Sequence, residues 1–342
     1  MKAQLFALAL LLVSCSESQK KVSFSESITA KSTALKEALI SIPMDIKKRG
    51  EILYISDFKG DSLLFCYSLS EQHFVKQMLP QGQGPDEFLS PIEFFISDSS
   101  VFIHNRWHFT ARNYTFNEKD FSIQSQGELI HLPMNLDKIY PISESRFIAS
   151  GVFDDCRFLI LDNDGNVISK CGSFPNYQSE EEAVPNTAKA MFHQSQFGYN
   201  TVRKRLACAT SNVLELWDYT PETLTLHKRL LLAPYHYRFN SSPDGVYAES
   251  DNPDAELGAR GITVSNNYVY VLYSPNTHRM HEEEKETQNS EIWVFDWEGE
   301  PIRKILVDTR IECFCIDETN TVFYCVMAAP DYCIGIVPIV GE

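Results

Sequence analysis

The sequence has little positive charge and few of the motifs that mark common enzymes. It contains 30 Lys and Arg residues against 46 Asp and Glu residues, a formal net charge of −16. Such a surface repels phosphate backbones, and no basic patch with interleaved aromatic residues is present, so nucleic acid is not an expected partner. The chain also lacks a Gly-x-Ser-x-Gly elbow, a His-Glu-x-x-His motif and an EF-hand loop. We therefore predict no catalytic residues, no metal ligands and no cofactor.

Long apolar runs are also missing, apart from a short one at the start. Residues 3–12 are almost wholly apolar and follow Met1-Lys2, but a membrane-spanning helix needs about 20 residues. The run has the basic start, apolar centre and small-residue end of a cleaved secretory signal. It closes with Leu12-Val13-Ser14-Cys15, which is similar to the bacterial lipobox. The alternative is an ordinary signal peptide in which the cysteine occurs by chance.

The lipobox interpretation predicts where the protein is located in the cell. It predicts a signal peptide over residues 1–14 and a lipid on Cys15, followed by a polar tether over residues 15–36. Lipobox cysteines typically carry more than one acyl chain, and several chains anchor a protein firmly. We expect a protein held in the bacterial cell envelope, with the outer membrane as the expected site. The sequence leaves open whether it faces the periplasm or the outside.

Eight cysteines remain after Cys15, and an exported chain meets conditions in which they could pair. Most of them lie in apolar, strand-like runs, so we expect mainly buried free thiols. Cys156 and Cys171 form the candidate disulfide, because they flank the turn at residues 162–165 symmetrically. A tight hairpin there would place them opposite each other, whereas a three-residue loop would shift the register by one.

Helical periodicity is nearly absent from the rest of the chain. The recurring unit is a short apolar run, a turn and a second short apolar run, which is typical of antiparallel strands. The unit occurs six times, at intervals of 50, 45, 59, 63 and 53 residues. The equivalent first-strand positions are Ile52, Phe102, Phe147, Leu206, Val269 and Val322. This period falls at and somewhat above that of propeller blades, with inserted loops stretching it.

Several copies continue into a further strand, and a further strand precedes each one, so each repeat supplies about four strands. The last copy ends after three strands, and an N-terminal strand beside residues 333–338 would complete it. We predict an all-β chain, with one six-bladed β-propeller over residues 37–342. The alternative, a pair of β-sandwich domains, would not produce six near-equivalent copies.

A resemblance to a known protein family supports the fold prediction. The lipobox, the polar tether, residues 53–57 and the loop Gly82-Gln83-Gly84-Pro85-Asp86-Glu87-Phe88 together resemble the TolB-like six-bladed propeller lipoproteins. The specific motif of this resemblance is the loop, with Gly82, Gly84, Pro85, Glu87 and Phe88. The rest of the resemblance is a general sequence pattern. The resemblance implies the fold and an envelope location, and no reaction. As a phosphate site the loop fails, because it lacks a following Lys-Ser/Thr and carries two acidic residues; a structural turn between blades is expected.

Four further groups of residues carry weak signals for chemistry. His104 and His108 are spaced for zinc on a helix but lie at the end of a predicted strand. The stretch 278–284 could hold a cation loosely, although a solvated loop explains it. Cys313, Cys315, Cys325 and Cys333 resemble a four-thiolate site without the tight turn of zinc knuckles, so packing between blades is expected. Residues 61–63 resemble a short acceptor for O-linked glycans.

The insertions give the strongest functional hypothesis. In a propeller, loops between blades and loops between second and third strands open on the same face. The polar insertions 80–91, 173–188, 233–261 and 274–290 all fall in such loops, and loops on a rigid scaffold often carry function. We expect this face to bind an unidentified protein, peptide or glycan. Its predicted contact residues are Arg106, Trp107, His108, Tyr235, His236, Tyr237, Arg238 and Phe239. The alternatives are tolerated insertions, or a metal-dependent hydrolase or lactonase with its site in the central channel.

Overall fold

The computed structural model describes residues 21–37, 40–84, 87–97, 99–143, 145–234, 237–249, 252–328 and 331–339. The predicted signal peptide, Cys15, Pro85, Tyr235 and His236 lie outside the described residues. Two short N-terminal strands open the described chain, β1 (Ser27–Ala30) and β2 (Thr33–Glu37). β1 and all but the last residue of β2 lie within the segment predicted as a tether, so the strands of the propeller begin before residue 37.

Antiparallel sheets in sequence order form the first three blades. Blade 1 consists of β3 (Pro43–Arg49), β4 (Ile52–Asp57), β5 (Ser62–Ser68) and β6 (His73–Pro80). Blade 2 consists of β7 (Ile92–Ile96), β8 (Ser100–Asn105), β9 (Thr110–Asn117) and β10 (Ser122–His131). Blade 3 consists of β11 (Leu136–Ser143), β12 (Arg146–Gly151), β13 (Phe158–Asp162) and β14 (Val167–Cys171).

The remaining blades follow the same order and carry the longer insertions. Blade 4 consists of β15 (Gln196–Asn200), β16 (Arg205–Thr210), β17 (Val213–Thr220) and β18 (Thr223–Leu231). The hairpin β19 (Phe239–Ser242) and β20 (Gly245–Ala248) precedes blade 5. Blade 5 consists of β21 (Glu256–Val264), β22 (Tyr268–Thr277), β23 (Ser290–Asp296) and β24 (Pro301–Val307). Blade 6 contains β25 (Ile311–Ile316), β26 (Val322–Ala328) and β27 (Tyr332–Pro338).

Helical structure is confined to the loops. The helices are α1 (Asn186–Phe192) and α2 (His278–Glu282), with 3₁₀ turns at Arg106–His108 and Ser179–Ala183. Among the described residues no helix is both long enough and apolar enough to cross a membrane. The all-β six-bladed propeller predicted from the repeats is therefore confirmed.

The N-terminal strands close the ring. β2 pairs antiparallel with β27, with Thr33 opposite Ile336 and Glu37 opposite Cys333, and it supplies the fourth strand of blade 6. β1 pairs in parallel with β24 as a fifth strand of blade 5. Closure beside residues 333–338 was predicted from the sequence; the additional strand on blade 5 was not.

Burial follows the position of each strand within its blade. The middle strands are buried on both faces because neighbouring blades cover them, and in β4 and β5 nearly every residue is inaccessible to solvent. Outer strands such as β10 are mostly exposed. The first strands of neighbouring blades contact one another around the axis. The core is therefore a series of layers between blades, and the first strands line a central channel.

The predicted opposition of Cys156 and Cys171 is wrong in register. The turn at residues 162–165 is closed by the Asp162 carboxylate, which accepts hydrogen bonds from the backbone N–H groups of Asp164 (3.0 Å) and Asn166 (2.8 Å). A bulge then follows, and Cys171 lies opposite Phe158. Cys156 lies outside the paired strand, and both cysteines are free thiols.

Candidate functional site

The long insertions and the second-to-third-strand loops meet at one end of the propeller, which we call the loop face. Backbone hydrogen bonds tie the loops together there: Leu232 N–H donates to Asn212 C=O at 2.7 Å, and Arg279 N–H donates to Pro253 C=O at 2.7 Å. Each bond joins a loop between blades to a loop between second and third strands. The predicted crowding of loops on one face therefore matches the geometry of the described residues.

The central channel contains a cavity of about 400 Å³. Every blade contributes to its lining through its first strand; one residue from each is Lys47, Glu93, Lys138, Gln196, Ile262 and Phe314. The volume falls within the range of small-molecule sites, about 300–1,000 Å³. What the cavity can do depends on whether its charged groups are already engaged.

Glu93 is the most strongly engaged carboxylate in the channel. Its Oε1 lies 2.6 Å from Lys138 Nζ, and its Oε2 lies 2.9 Å from Nδ1 of the fully buried His104. The backbone N–H of Ile139 donates to Oε2 at 3.2 Å. Burial acts to raise the pKa of Glu93, but the Lys138 charge and the His104 hydrogen bond outweigh it and lower the pKa to about 2.

The other charges near the mouth of the channel are paired in the same way. Arg106 forms an ion pair with Asp137, and Lys47 lies 2.9 Å from Asp45. Carboxylates bound to cationic side chains are poor metal ligands, because the metal would have to displace the partner. Among the residues that the structure describes, no group of three or more His, Cys, Asp or Glu side chains could hold a metal ion. The channel is built as an ordered polar network.

This network predicts a pH-dependent contribution to stability. Because the pKa of Glu93 is lower in the folded protein than its ordinary value, its contribution is full at neutral pH and falls as the pH drops from about 4.5 towards 2. Glu93→Gln should therefore lower the urea midpoint at pH 7, and the difference from the wild type should be nearly unchanged at pH 5 and shrink at pH 4 and again at pH 3. A constant difference across that range would contradict the assignment. Glu300→Gln, which alters the solvent-exposed pair with Lys228, is the control and should have little effect.

Two insertions fold together into a packed unit on the loop face, which we call the platform. It comprises residues 173–195, with α1, and the described parts of residues 233–255, with β19 and β20. The buried carboxylate of Glu181 accepts hydrogen bonds from the backbone N–H groups of Tyr177 and Tyr237, one in each insertion. His193 Nε2 lies 2.8 Å from the Tyr237 hydroxyl, which donates to Pro175 C=O at 2.7 Å. The bonds between the two insertions span 44 to 62 positions of sequence.

The platform corrects the prediction for Tyr237. Only 5% of this residue is exposed, so it packs inside the platform and is not a surface contact. Its neighbour Arg238 is exposed and lies 3.5 Å from Glu249, while Phe239 is half-buried at the start of β19. Tyr235 and His236 lie outside the described residues. Among the described residues of the predicted set 235–239, Arg238 is the one exposed side chain.

The predicted contact residues of blade 2 lie at the surface. Trp107 is 61% exposed and His108 is exposed, both in the 3₁₀ turn after β8, while Arg106 is half-buried. Beside Trp107 is a groove of about 180 Å³ that is lined by Phe109, Leu136 and Met191 among others. His104 and His108 do not converge: His104 is buried against Glu93 and His108 is exposed.

The loop between blades 1 and 2 is held by its own glutamate. The Glu87 carboxylate accepts a hydrogen bond from the Gly84 N–H at 2.7 Å, and Gly82 N–H donates to Phe88 C=O at 3.1 Å. A Cβ on Gly82 would overlap that carboxylate. The described part of the loop is therefore a turn closed by its own side chain, and the Glu87 charge occupies the place that a bound anion would need.

The C-terminal cysteines are packing residues. Cys313 and Cys315 are buried against blade 1, and Cys325 lies in the layer between blades 5 and 6. Burial raises the pKa of each of these three thiols, so all three are protonated near neutral pH. Protonated thiols do not ligate a metal. The stretch 278–284 likewise belongs to no metal-binding cluster among the described residues. The glycan acceptor at residues 61–63 stays a prediction.

Sequence reasoning missed a buried charge cluster between blades 3 and 4, which we call the buried triad. Glu215, fully buried, pairs with Arg157 and lies 2.6 Å from Arg229 Nε. Trp217 Nε1 donates to the same carboxylate at 3.3 Å. Burial acts to lower the pKa of Arg157, but the Glu215 charge outweighs it and raises the pKa. The triad lies beneath the platform, because Arg157 also lies 5.5 Å from the Phe174 ring centre.

Comparison with known proteins gives the family and the fold. A family model described as TolB-like 6-blade propeller-like matches residues 23–319. A crystal structure of a protein described as exported, from Bacteroides fragilis, aligns at 13% identity and a TM-score of 0.57, over 92% of this chain and 100% of its own. A member of the duf4221 family from Bacteroides vulgatus aligns at 11% identity and a TM-score of 0.50, over 90% and 95%. At these identities the likeness shows the fold alone. No curated protein matches the sequence.

Proposed function

This chain belongs to the TolB-like six-bladed propeller family, and from that premise we propose that it is a lipid-anchored envelope protein that binds a partner through its loop face without catalysis. The partner class is a protein, a peptide or a glycan. The lipid on Cys15 supplies membrane attachment, and the propeller supplies a rigid scaffold for the insertions.

The platform is the observation that carries the binding proposal. Tolerated insertions need no common core, whereas these two share the buried residues Glu181, His193 and Tyr237. Fixing long loops costs conformational entropy, and buried hydrogen bonds offset that cost only when the loops hold one shape. A preformed loop surface binds a partner without a further ordering cost. The exposed groups of this surface include Arg238 and Tyr247.

The envelope location rests on the lipobox-like end at Cys15. It gains support from the structural neighbour in Bacteroides fragilis that is described as exported. Cys15→Ala should move the protein from the membrane fraction to the soluble fraction, since the described residues contain no spanning helix to hold it. Equal membrane association of variant and parent would contradict the anchor.

The binding role is tested by affinity capture from envelope extract. Arg238→Ala and Tyr247→Ala alter exposed groups of the platform, whereas Val202→Ala alters a 77% exposed side chain at the opposite end of the propeller. The platform variants should lose a captured component that the Val202 variant retains. If all three capture the same components as the wild type, the platform is not the binding surface. Metal analysis and a lactone and ester panel on the same preparations test the hydrolase alternative, for which a stoichiometric channel ion with turnover would be decisive.

A further inference from the structure

We propose that the part of the loop face over blades 1 to 3 lies against the lipid surface of the membrane that holds Cys15, with Trp107 at the interface. The inference rests on the lipid anchor of the proposed function and goes beyond it by assigning the propeller an orientation.

The exit point of the chain is the first argument. Lys21 Nζ lies 2.8 Å from Glu256, the first residue of β21, and Val22 N–H donates to Leu231 C=O, the last residue of β18, at 3.0 Å. Both partners lie where their strands meet the loop face. Cys15 precedes Lys21 by six residues, which span about 20 Å at most when fully extended. The loop face is therefore the end of the propeller nearest to the anchor.

The exposed apolar side chains are the second argument. Four large ones lie at the loop-face end of blades 1 to 3: Met44 (47% exposed), Trp107 (61%), Met134 (76%) and Met191 (50%). The exposed apolar residues near the opposite end include Val167 and Val202, which are aliphatic and β-branched. Tryptophan favours the membrane interface, where its ring meets lipid and its N–H meets water. Trp107, beside its apolar groove, fits that position.

The charge of the insertions predicts which lipid the loop face tolerates. The four insertions carry 14 acidic and 4 basic residues, a net charge of −10. The net charge is −5 in the insertions 80–91 and 173–188 and −5 in the insertions 233–261 and 274–290. Acidic groups avoid anionic lipid surfaces and gain nothing from zwitterionic ones. The exposed apolar side chains over blades 1 to 3 should therefore make the contact, and a neutral lipid surface should be favoured over an anionic one.

The protein contains its own probe for this geometry. Of its four tryptophans, Trp217, Trp293 and Trp297 are at most 3% exposed, so Trp107 alone is accessible. The lipidated protein is reconstituted into phosphatidylcholine vesicles with or without brominated acyl chains, which quench tryptophan on contact. We expect the Trp107 emission, taken as the difference from Trp107→Phe, to fall at least twofold with brominated lipid. Replacing half of the lipid with phosphatidylglycerol should weaken the quenching.

A matched variant tests the orientation. In the Trp107→Phe background, Val202→Trp places an exposed tryptophan at the opposite end, and brominated lipid should leave its emission unchanged. Equal quenching at the two positions, or none at Trp107, would overturn the inference and assign the apolar groove to a protein partner. Vesicle flotation separates the two proposals: lipidated protein that fails to float contradicts the anchor, whereas protein that floats with unquenched Trp107 contradicts only the orientation.

Discussion

Glu215→Gln is expected to lower the free energy of unfolding by about 3–5 kcal/mol. The variant keeps the shape of the side chain but removes the charge that compensates Arg157, of which only 1% is exposed. A buried guanidinium without a counter-charge has neither water nor a carboxylate to stabilise it, and Arg229 cannot help because it carries the same charge. The folded state bears this cost, while the unfolded state does not.

Urea unfolding, followed by far-ultraviolet circular dichroism, measures the effect as a fall in the midpoint. Glu298→Gln is the matched control: Glu298 also pairs with two arginines, Arg203 and Arg205, but its side chain is 55% exposed. Exposed pairs contribute up to about 1 kcal/mol. Similar midpoints for the two variants would show that the buried triad is not the electrostatic core that its geometry indicates.

Tyr237→Ala is expected to unfold the platform while the propeller stays folded. The substitution removes a buried aromatic ring together with the hydroxyl that links His193 to Pro175. Removing a buried large aromatic ring costs about 3–5 kcal/mol. We expect this cost to exceed the free energy that keeps the platform folded, because the platform lies outside the blades. Limited proteolysis should cut rapidly within residues 173–195 and 233–255, while the circular dichroism of the blades and their urea midpoint change little.

Two controls separate the causes. Tyr237→Phe keeps the ring and the backbone hydrogen bond to Glu181 but loses the hydrogen bonds of the hydroxyl, so proteolysis should accelerate far less. Tyr247→Ala alters a 54% exposed tyrosine of the same unit and should leave the proteolysis rate unchanged. If Tyr237→Ala unfolds the whole protein with a single midpoint, platform and propeller form one cooperative unit. Loss of partner capture by Tyr237→Ala would then report a lost fold and not a lost contact.

The sequence predicted the blades because their signal is local. Five of the six hairpins keep their two apolar runs within about 20 residues, as in β4 and β5, so pattern alone reveals them; β22 and β23 are separated by an insertion. The ring closure was predicted from the strand that the last repeat lacks. The division of the loops between the two faces followed from strand alternation.

What the sequence did not reveal depends on residues far apart in the chain. Glu215 meets Arg157 across 58 positions, and nothing local marks either residue as buried. Tyr237 lies in a polar insertion and was assigned to the surface. The other insertion of the platform, which covers it, starts 64 residues earlier in the chain. The Cys156 and Cys171 register failed for a local reason. The turn shifts the pairing by one residue, since Leu161 lies opposite Val167, and a bulge in β14 shifts it by one more, since Phe158 lies opposite Cys171.

The pairing of β2, near the start of the chain, with β27, near its end, has a consequence for synthesis. Thr33 leaves the ribosome early, but Ile336, its partner, comes 303 residues later. At about 5–20 residues per second, β2 waits roughly 15 to 60 seconds with its backbone donors and acceptors unpaired. Five residues long and carrying Lys36 and Glu37, β2 presents a short, charged edge that discourages pairing with other chains. The ring can close only after β27 has been synthesised, so the pairing of β2 with β27 should be the slow, final step of folding.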